Sequence, residues 1–386
     1  MKLADAEVAI RGIGTALPPH RLEQEDVVRR LGDALADRPD AARWARRIFK
    51  QSGVETRYTC EPNLLEAAGL CRYVGGGGEE APATSERMAH YRAESVPLAW
   101  KAAAEALQDA DVAPAEVTHL IAVSCTGMFL PGLDVALAQQ LGLRSDVKRV
   151  PLTFLGCAAG LSGIRLAREL SQGDPSAVLL VVSVELCTLH IQHSAEREAL
   201  YATAFFGDGA SACVVGRAGE GTRALFALGE GNAVLLPDSH GEMVWTVGDR
   251  GFDLILSPRI PALIGQAVPP ILRENYGDAM RDGALWAIHP GGRGIVDALQ
   301  QACGLTDEQT RASREVLRRY GNLSSATIMF VLQELRHRLD ADGAGRREGM
   351  AVAFGPGVCA ELMPIAYVPR TARLEDGVLA APSAHA

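Results

Sequence analysis

Short apolar runs alternate with amphipathic stretches along most of the chain, as buried strands alternate with helices in α/β proteins. Ala177–Val184 is an almost unbroken apolar run, which is typical of a strand in a sheet covered on both faces. In the first half of the chain, further strands are predicted at Val8–Gly14, His119–Ser124 and Phe206–Val215. Apolar residues at helical spacing predict helices at Glu94–Ala110, Asp134–Leu143 and Gly160–Ser171.

The second half of the chain repeats this order of elements. Because strands and helices alternate in both halves, we expect an α/β layered sandwich built from two similar units, residues 1–220 and 221–386. The elements predicted in the second unit are strands at Leu285–Ile288 and Met350–Phe354, and helices at Gly294–Ala302, Thr306–Arg319 and Leu323–Leu339.

Two potentially reactive residues occupy matching places in these units. Cys157 follows Cys125 by 32 positions, and Asn322 follows His289 by 33 positions. Each of the two later residues stands at the entrance of a predicted helix. An internal duplication therefore predicts that Cys157 and Asn322 are related by pseudo-symmetry and approach one seam between the units.

Three polar segments are predicted to lie on the surface: Arg72–Thr84, Ala341–Glu348 and a loose tail, Thr371–Ala386. The first of them contains the glycine tetrad Gly75–Gly78, which has the composition of a phosphate-binding loop. A phosphate loop also needs a Lys-Ser/Thr pair between a strand and a helix, and neither follows here. We therefore interpret the tetrad as a flexible loop.

Composition and charge narrow the class of protein. The 386 residues are 48% hydrophobic and 22% charged, which excludes wholesale disorder. A net charge of −9 argues against a nucleic-acid or anionic-membrane partner. The chain has no run of about 18 apolar residues, and its acidic N-terminus is unlike a signal peptide, so a cytoplasmic location is expected.

The cysteines and histidines favour neither disulfides nor a metal site. None of the eight cysteines forms a CxxC pair, which predicts reduced thiols rather than a disulfide framework or a zinc site. His190 and His193 form an HxxH pair, but no third ligand accompanies them. We therefore expect no metal and no redox cofactor.

Three residues are candidates for catalysis. Cys157 lies in a turn of small residues that opens a helix, where the helix dipole favours a thiolate. His289 leaves an apolar strand into a glycine turn, which can direct its imidazole into a cleft, and Asn322 precedes another helix. Each has a structural alternative: a buried inert cysteine, a capping histidine and an N-cap asparagine. Their placement by the duplication favours a common site.

Five motifs, in order, resemble one family. The chain is similar to thiolase-fold condensing enzymes, and most closely to type III polyketide synthases of the chalcone synthase-like superfamily, over nearly its whole length. The resemblance implies a thiolase-like αβαβα sandwich. The motifs that carry it are Gly156–Gly160, Phe206–Ala210, Ile288–Gly292, Gly321–Ala326 and Phe354–Gly357.

The resemblance also implies a mechanism. Cys157 would attack an acyl-CoA and hold the starter, while His289 would stabilise its thiolate. Together with Asn322, His289 would bind malonyl-CoA and stabilise the enolate that forms on decarboxylation. Repeated condensation and cyclisation would follow. Phe206 matches the aromatic gatekeeper of the family, and Phe252 is expected to be a second one.

Substrate-binding residues follow from the same resemblance. Cations that hold CoA are expected at Arg47 and Lys50, on one helix face, and at Arg293, which follows Gly291 and Gly292 near the mouth of the site. The residues expected around the substrate are Cys125, Leu130, Cys187, His190, Phe205, Ser324 and Pro356.

Some of these positions depart from the plant pattern. Cys125, Cys187 and His190 stand where plant chalcone synthases carry small hydroxyl residues. These replacements resemble those of bacterial type III synthases, including enzymes that make alkylpyrones and alkylresorcinols. A fatty acyl-CoA starter is therefore expected. Leu130 stands where the family has a methionine that crosses a dimer interface, so we also expect a homodimer in which the apolar loop Met128–Gly132 contacts the partner.

Three alternatives remain open from the sequence. The first is a ketoacyl synthase III-type enzyme that performs one condensation with an acyl-carrier-protein substrate. The second is a Cys-His thiol hydrolase, which would not need the duplicated halves. The third is a non-catalytic interaction protein that kept the fold, although Cys157, His289 and Asn322 are all present.

Overall fold

The computed structural model describes residues 8–73, 81–192, 194–219, 222–277, 283–369, 374–375 and 378–379. Its helices are α1 Gln24–Ala34, α2 Pro39–Gln51, α3 Thr84–Ala110, α4 Leu133–Gln140, α5 Ala159–Gly173, α6 Arg197–Phe205, α7 Ile260–Tyr276, α8 Arg293–Cys303, α9 Asp307–Tyr320 and α10 Thr327–Ala341. Its strands are β1 Val8–Ala16, β2 His20–Glu23, β3 Thr56–Thr59, β4 His119–Ser124, β5 Lys148–Thr153, β6 Val178–Leu186, β7 Asp208–Arg217, β8 Phe226–Leu228, β9 Asn232–Leu235, β10 Met243–Gly248, β11 Gly251–Leu256, β12 Leu285–Ile288, β13 Arg347–Gly355, β14 Cys359–Tyr367, β15 Leu374–Glu375 and β16 Val378–Leu379.

Ten of these strands form one hydrogen-bonded path in the order β12-β13-β14-β8-β1-β7-β6-β4-β5, with β9 added beside β14. In the first unit, β4 and β6 are parallel, while β6–β7 and β7–β1 are antiparallel. In the second unit, β12 and β13 are parallel, while β13–β14 and β14–β8 are antiparallel. The same order and directions in both units confirm the predicted duplication, and β1 pairs with β8 to join them.

Helices α5 and α10 form the buried middle layer between the two half-sheets. Their apolar residues, such as Ile164 and Met329, share one core with strand residues of both units. The outer face of the first half-sheet packs on α3 and α4, and that of the second packs on α7 and α8. Five layers result, helix-sheet-helix-sheet-helix, which confirms the predicted αβαβα architecture.

Neighbouring residues of one strand enter different layers. Leu180 of β6 packs in the outer core with α3, whereas Val181 packs in the inner core with α5 and α10. Side chains of a strand alternate between faces, so a strand with helices on both faces needs apolar residues at nearly every position. This double coverage explains the unbroken apolar run in β6.

Most predicted elements are present with shifted ends. Strands His119–Ser124 and Leu285–Ile288 match the sequence prediction at both ends. The helix predicted at Leu323–Leu339 is wrong at its start, because a 3-10 turn at Ser324–Ala326 precedes α10. The glycine tetrad Gly75–Gly78, His193 and most of the tail Thr371–Ala386 lie outside the described residues.

The described part of the chain also bears on metals and membranes. Within it, no group of three His, Cys, Asp or Glu side chains is placed to hold a metal ion. No helix among the described residues is both long enough and apolar enough to span a membrane.

The two middle helices approach each other through a glycine. A Cβ atom added to Gly160 of α5 would lie 2.1 Å from the carbonyl oxygen of Ser325, just before α10. No side chain fits at that distance, so the backbones of the two helix entrances are in direct contact. Glycine at position 160 therefore sets how closely the two units come together.

We predict that Gly160→Ala destabilises the protein by about 1–3 kcal/mol or more, because the added methyl group overlaps backbone that cannot move aside cheaply. Gly173 ends the same helix with no atom within 4 Å of an added Cβ, so Gly173→Ala is the matched control and should be neutral or slightly stabilising. Thermal unfolding measures both variants. Equal melting temperatures for the two would contradict the close contact.

Candidate active site

Each middle helix is entered through a short 3-10 turn, and these turns carry the candidate residues. Gly156 begins the first turn with φ of +66°, and an added Cβ would lie 2.1 Å from Cδ of Pro356. Both facts require glycine there. The sharp turn allows Cys157 to line a cavity of about 320 Å³, whose walls also include His289, Asn322 and Ser324.

The remaining walls of the cavity are mostly apolar. They come from α2, the end of α6, the hairpin β10–β11 and the segment before α8. Phe205 and Phe206 lie on one side, and Trp245 and Leu254 of the hairpin lie on another. The site therefore combines a thiol, an imidazole and an amide with a pocket suited to an apolar ligand.

The Asn322 side chain is held in one orientation. Its Oδ1 accepts the backbone N–H of Ser324 at 2.8 Å, and its Nδ2 donates to the carbonyl of Gly291 at 3.2 Å. The Nδ2 atom then lies 3.9 Å from the Cys157 Sγ. Backbone pairing with Phe206 fixes the residue further, through Asn322 N–H to Phe205 O at 2.8 Å. The amide thus presents a donor beside the thiol.

His289 follows β12 and is buried. Its backbone N–H donates to Val352 O of β13 at 2.8 Å, which fixes the residue at the end of the strand. Neither ring nitrogen has a hydrogen-bond partner among the described residues. Leaving a buried imidazole without hydrogen bonds costs folding free energy, which favours a functional explanation. Because both nitrogens are unengaged, both are available to a substrate or a proton.

Burial dominates the electrostatics of the site. It raises the pKa of the Cys157 thiol to about 11, against the smaller effects of hydrogen bonds from Ser324 and Asn322. It lowers the pKa of the His289 imidazole to about 3. Both groups are therefore neutral at neutral pH in this arrangement. Burial thus opposes the thiolate expected at the helix entrance, which stays a prediction.

A buried network lies behind Cys157. Ser324 Oγ is 3.1 Å from the Cys125 Sγ and 3.6 Å from the Cys157 Sγ, so one hydroxyl connects the two thiols. Ser324 has φ of +48°, a strained value for a residue with a side chain. The sequence prediction treated Ser324 and Cys125 as substrate contacts; Ser324 lines the cavity, and Cys125 lies behind it.

Glu185 is the centre of this network and was missed by the sequence analysis. Its carboxylate accepts the Thr126 hydroxyl at 2.7 Å, the Cys125 N–H at 3.1 Å and the Ser325 hydroxyl. Burial raises the pKa of Glu185, against the effect of these donors. One signal for it was present: an acidic residue within the apolar run of β6.

Some aromatic residues line the cavity, and others pack behind its wall. Phe205, Phe206 and Pro356 line the cavity, as does Trp245, which meets the Phe206 ring edge-on at 6.4 Å. Phe252, expected to be a second gatekeeper, is buried, does not form part of this cavity wall and stacks on His190 at 4.0 Å.

A neighbour takes the place expected for Phe252. Phe252 and Leu254 point to the same face of β11, and Leu254 is the one that borders the cavity. The sequence analysis did not identify Trp245 or Leu254.

His190 and Cys187 also lie outside the cavity wall as described. Cys187 is buried, and burial raises its pKa. His190 is buried with both ring nitrogens hydrogen-bonded, to Thr126 O at 2.7 Å and to the Phe252 N–H at 3.1 Å. Neither side chain is part of the wall of this cavity, and the His190 ring packs instead against Trp245 and Phe252 of the hairpin β10–β11.

Of the three cations expected to hold CoA, one borders the cavity. Arg293 borders the cavity together with Gly291 and Gly292, and it forms an ion pair with Asp297 at 3.3 Å. Arg47 and Lys50 are exposed on α2, whose other residues Ile48 and Gln51 reach the cavity wall.

Leu130 is 90% exposed and does not contact the cavity of its own chain.

Comparisons with known proteins agree over almost the whole chain. Residues 2–219 match the N-terminal domain of chalcone and stilbene synthases, and residues 228–369 match their C-terminal domain. Bisdemethoxycurcumin synthase of Oryza sativa subsp. japonica is 34% identical over 379 residues, covering 93% of this chain and 92% of that protein. The 1,3,6,8-tetrahydroxynaphthalene synthase of Streptomyces peucetius subsp. caesius is 34% identical over 368 residues, covering 93% of each.

Solved structures give the same result. The C-terminal type III polyketide synthase domain of Steely1, a hybrid synthase from Dictyostelium, superimposes with a TM-score of 0.85 at 25% identity, covering 94% of this chain and 99% of that one. PKS-I of the brown alga Ectocarpus siliculosus gives a TM-score of 0.84 at 29% identity, covering 94% and 98%.

These similarities decide between the alternatives left open by the sequence. The single-condensation enzyme of the ketoacyl synthase III type is wrong, because both halves match synthases that condense repeatedly. A thiol hydrolase and a non-catalytic protein do not fit the same matches. The chain belongs to the chalcone and stilbene synthase family, and it is a type III polyketide synthase, an acyltransferase that works by decarboxylative condensation.

Proposed function

We propose that Cys157 takes the acyl group of an acyl-CoA starter, that malonyl-CoA supplies each extension unit, and that the product cyclises to a pyrone or a resorcinol-type ring. One observation carries the proposal. The Cys157 thiol, the unpartnered His289 imidazole and the fixed Asn322 Nδ2 border one cavity with apolar walls. No redox cofactor or metal is needed for these steps.

Acyl transfer begins with two neutral groups. The Cys157 Sγ attacks the thioester carbonyl of the starter while a nitrogen of the His289 imidazole accepts the thiol proton. A new C–S bond forms at Cys157, the C–S bond to CoA breaks, and the proton passes to the departing CoA thiolate. Because neither His289 nitrogen is engaged elsewhere among the described residues, the imidazole is free to carry this proton.

Condensation uses the same donors on a second substrate. The thioester oxygen of malonyl-CoA accepts hydrogen bonds from Asn322 Nδ2 and from the His289 ring, which stabilise the enolate formed as CO₂ leaves. The enolate carbon attacks the acyl carbonyl on Cys157, so that a C–C bond forms and the C–S bond breaks. The apolar Phe206 ring beside the site favours loss of the malonyl carboxylate, which is poorly solvated there.

We predict that Cys157→Ala abolishes acylation of the protein and polyketide formation, because no other thiol borders both His289 and Asn322 among the described residues. Intact-mass spectrometry after incubation with an acyl-CoA detects the covalent adduct. Cys359→Ala, which alters a half-buried thiol of β14, is the matched control and should acylate normally. An adduct that persists in Cys157→Ala would move the nucleophile to another residue, with Cys125 tested next.

We predict that Asn322→Ala and His289→Ala lower the rate of malonyl-CoA decarboxylation by about 10²–10³, the usual cost of losing one donor to a developing oxyanion. Release of CO₂ from malonyl-CoA without a starter measures this step apart from acyl loading. Gln51→Ala, at the cavity mouth, is the control and should decarboxylate nearly normally. Unchanged decarboxylation in both variants would remove these residues from the oxyanion site.

The mouth of the cavity supports binding of CoA. Arg293 borders the cavity, and Arg47 and Lys50 are exposed on α2, a helix that also contributes Gln51 to the cavity wall. Phosphate groups favour such cations. Gly291 and Gly292 keep the backbone near the opening free of side chains. We assign the CoA moiety to this opening, with its thioester directed towards Cys157.

The character of the cavity supports an alkyl starter. Trp245, Leu254 and Phe205 are apolar, and the volume of about 320 Å³ lies at the small end for ligand sites. Cys125 and Cys187, from which a fatty starter was first inferred, lie behind the wall and do not contribute to this argument. The proposal therefore rests on the walls of the cavity itself.

We predict that kcat/KM rises with starter length by up to about fourfold per methylene, because each buried methylene contributes about 0.8 kcal/mol. The rise should stop early in the series from octanoyl- to palmitoyl-CoA, when the small cavity is full. Parallel assays with p-coumaroyl-CoA and with malonyl-CoA alone provide the comparison. Much higher kcat/KM for either of these would replace the alkyl starter with a small or aromatic one, as in a naphthalene or pyrone former.

We also propose that the enzyme is a homodimer that works in the cytoplasm. Four apolar side chains are exposed together where β4 and β5 end: Met128, Leu130, Phe154 and Leu155. A cluster of this kind beside an active site is better covered by a second copy than by water. All eight cysteines lie in the described ranges and none is in a disulfide, which fits a reducing compartment.

We predict a mass of twice 41.0 kDa by light scattering at micromolar concentration. Leu130→Glu should shift the protein towards monomer, because it puts a charge into an apolar interface. Leu235→Glu is the matched control: Leu235 is 75% exposed on β9, and its replacement should leave the mass unchanged. A wild-type mass near 41 kDa would contradict the dimer.

A further inference from the structure

Two thiols contact one hydroxyl group behind the active-site cavity. The Ser324 Oγ is 3.1 Å from the Cys125 Sγ and 3.6 Å from the Cys157 Sγ. The two sulfur atoms are therefore no further apart than the sum of these two distances. The proposed acyl transfer uses only Cys157, so Cys125 is a second thiol beside the nucleophile for which that mechanism has no use.

The two thiols differ in how they meet the cavity. Cys157 borders the cavity and is only partly buried. Cys125 is buried and is not part of the cavity wall. A small oxidant that enters through the cavity therefore meets Cys157 first, and Cys125 lies directly behind it.

A proton acceptor accompanies each thiol. The Cys125 S–H donates to Oε1 of Glu185 at 3.3 Å. His289 borders the cavity together with Cys157, and its ring nitrogens have no hydrogen-bond partner among the described residues. Burial raises the pKa of both thiols, and the thiolate is the form that attacks a peroxide or another sulfur. A neighbouring base is therefore what each thiol needs in order to react.

The segments that carry the two thiols run side by side. Strands β4 and β5 are parallel neighbours, and beyond their ends the Phe154 N–H donates to Ser124 O at 3.3 Å. Cys125 directly follows β4, and Cys157 follows β5 after three residues. A disulfide needs its sulfurs about 2 Å apart. Rotation of the two cysteine side chains, with the Ser324 hydroxyl turned aside, would close the remaining gap.

The backbone of Ser324 allows that rotation without unfolding the site. Its N–H donates to Oδ1 of Asn322 at 2.8 Å, and its carbonyl accepts the Thr327 hydroxyl at 2.8 Å. Neither bond involves the Ser324 hydroxyl. The hydroxyl can therefore leave the space between the thiols while the main chain of the turn stays in place.

We propose that Cys125 is a resolving cysteine: when hydrogen peroxide oxidises Cys157, Cys125 forms a disulfide with it and so protects the nucleophile from irreversible oxidation. The proposal rests on the proposed function in naming Cys157 as the nucleophile. It gives the enzyme a reversible inactive state, in which the acyl-accepting sulfur is held in a disulfide within the chain.

The reaction consumes one peroxide molecule. The Cys157 thiolate, formed as His289 accepts the thiol proton, attacks one peroxide oxygen, so that an S–O bond forms and the O–O bond breaks. The second oxygen leaves as hydroxide, which the proton converts to water. The Cys125 thiolate, formed as Glu185 accepts its proton, then attacks the Cys157 sulfur. The S–S bond forms, the S–O bond breaks, and the departing hydroxide takes that proton and leaves as water.

Without a resolving thiol the oxidation goes further. A second peroxide molecule converts the sulfenic acid of Cys157 to a sulfinic acid, which thiol reductants do not reverse, whereas they reduce a disulfide. Cys125→Ser removes the resolving thiol and keeps a small polar side chain, and Cys125→Ala replaces it if the serine variant does not fold. The matched control is Cys359→Ser, the same replacement at a partly buried thiol of β14.

The first readout is how far dithiothreitol restores Cys157. Each protein is treated with hydrogen peroxide and then with or without dithiothreitol, and acylation by an acyl-CoA is measured by intact-mass spectrometry against the untreated protein. The wild type and Cys359→Ser should lose acylation and regain most of it with dithiothreitol. Cys125→Ser should regain about tenfold less, because its Cys157 has gained two oxygen atoms.

The second readout is the disulfide itself. Trypsin cuts after Arg144, Lys148 and Arg149, so that Cys125 and Cys157 fall on separate peptides. Without a reductant, oxidised wild type and Cys359→Ser should give these two peptides linked, with the mass of the pair less two hydrogen atoms. Dithiothreitol should separate them.

Oxidised wild type without the Cys125–Cys157 link would overturn the proposal, and so would a link from Cys157 to a different cysteine, such as Cys187. Recovery of Cys125→Ser as complete as that of the wild type would also overturn it. The peptide map does not depend on catalysis. A protein that forms the link but makes no polyketide would refute the proposed function alone, and one that makes polyketides without the link would refute the resolving role alone.

Discussion

The active site depends on how closely the two middle helices approach. Gly160 of α5 lies against the backbone of Ser325 at the entrance of α10, at a distance that admits no side chain. Because Cys157 precedes one helix and Asn322 the other, this contact brings residues 165 positions apart to within 3.9 Å. The duplication supplies two similar entrances, and their packing brings a thiol from one and an amide donor from the other into one site.

Desolvation then gives these residues their chemical character. Burial favours the neutral forms of the Cys157 thiol and the His289 imidazole. In the proposed acyl transfer, charge would develop beside donors that are already fixed. Asn322 needs no rearrangement, since Ser324 and Gly291 already orient its amide. Buried polar groups of this kind are stable only when the surrounding network is complete. Behind the site, Glu185 completes this network by accepting hydrogen bonds from Cys125, Thr126 and Ser325.

The sequence predicted the parts of the fold that depend on local pattern. Strand His119–Ser124 was predicted at both ends because it is covered on two faces and bounded by polar residues. The equivalence of Cys157 and Asn322 was also visible, because duplication conserves spacing along the chain. The placement of Phe252 and Leu254 was not predictable in this way. Both residues point to the same face of β11; Phe252 stacks on His190, and Leu254 borders the cavity.

Long-range contacts explain the other differences. Trp245 borders the cavity as part of a separate hairpin that contacts α3 and His190, and no local pattern in Met243–Gly248 specifies those contacts. The thiolate expected at Cys157 was inferred from the helix entrance alone, and the desolvation that raises the pKa of this thiol comes from tertiary packing. Glu185 had a local signal, a charge in an apolar strand. Its role depends on donors from two other segments, Cys125–Thr126 and Ser325.

The central claim is that Cys157 and Asn322 act on one carbonyl group. A crystal structure of the enzyme after reaction with an acyl-CoA, with free CoA removed, tests it most directly. The account predicts electron density continuous with the Cys157 Sγ, an acyl oxygen within hydrogen-bond distance of Asn322 Nδ2 or the His289 ring, and a chain that extends between Phe206 and Trp245. An adduct on another cysteine, or an acyl oxygen turned away from both donors, would contradict it.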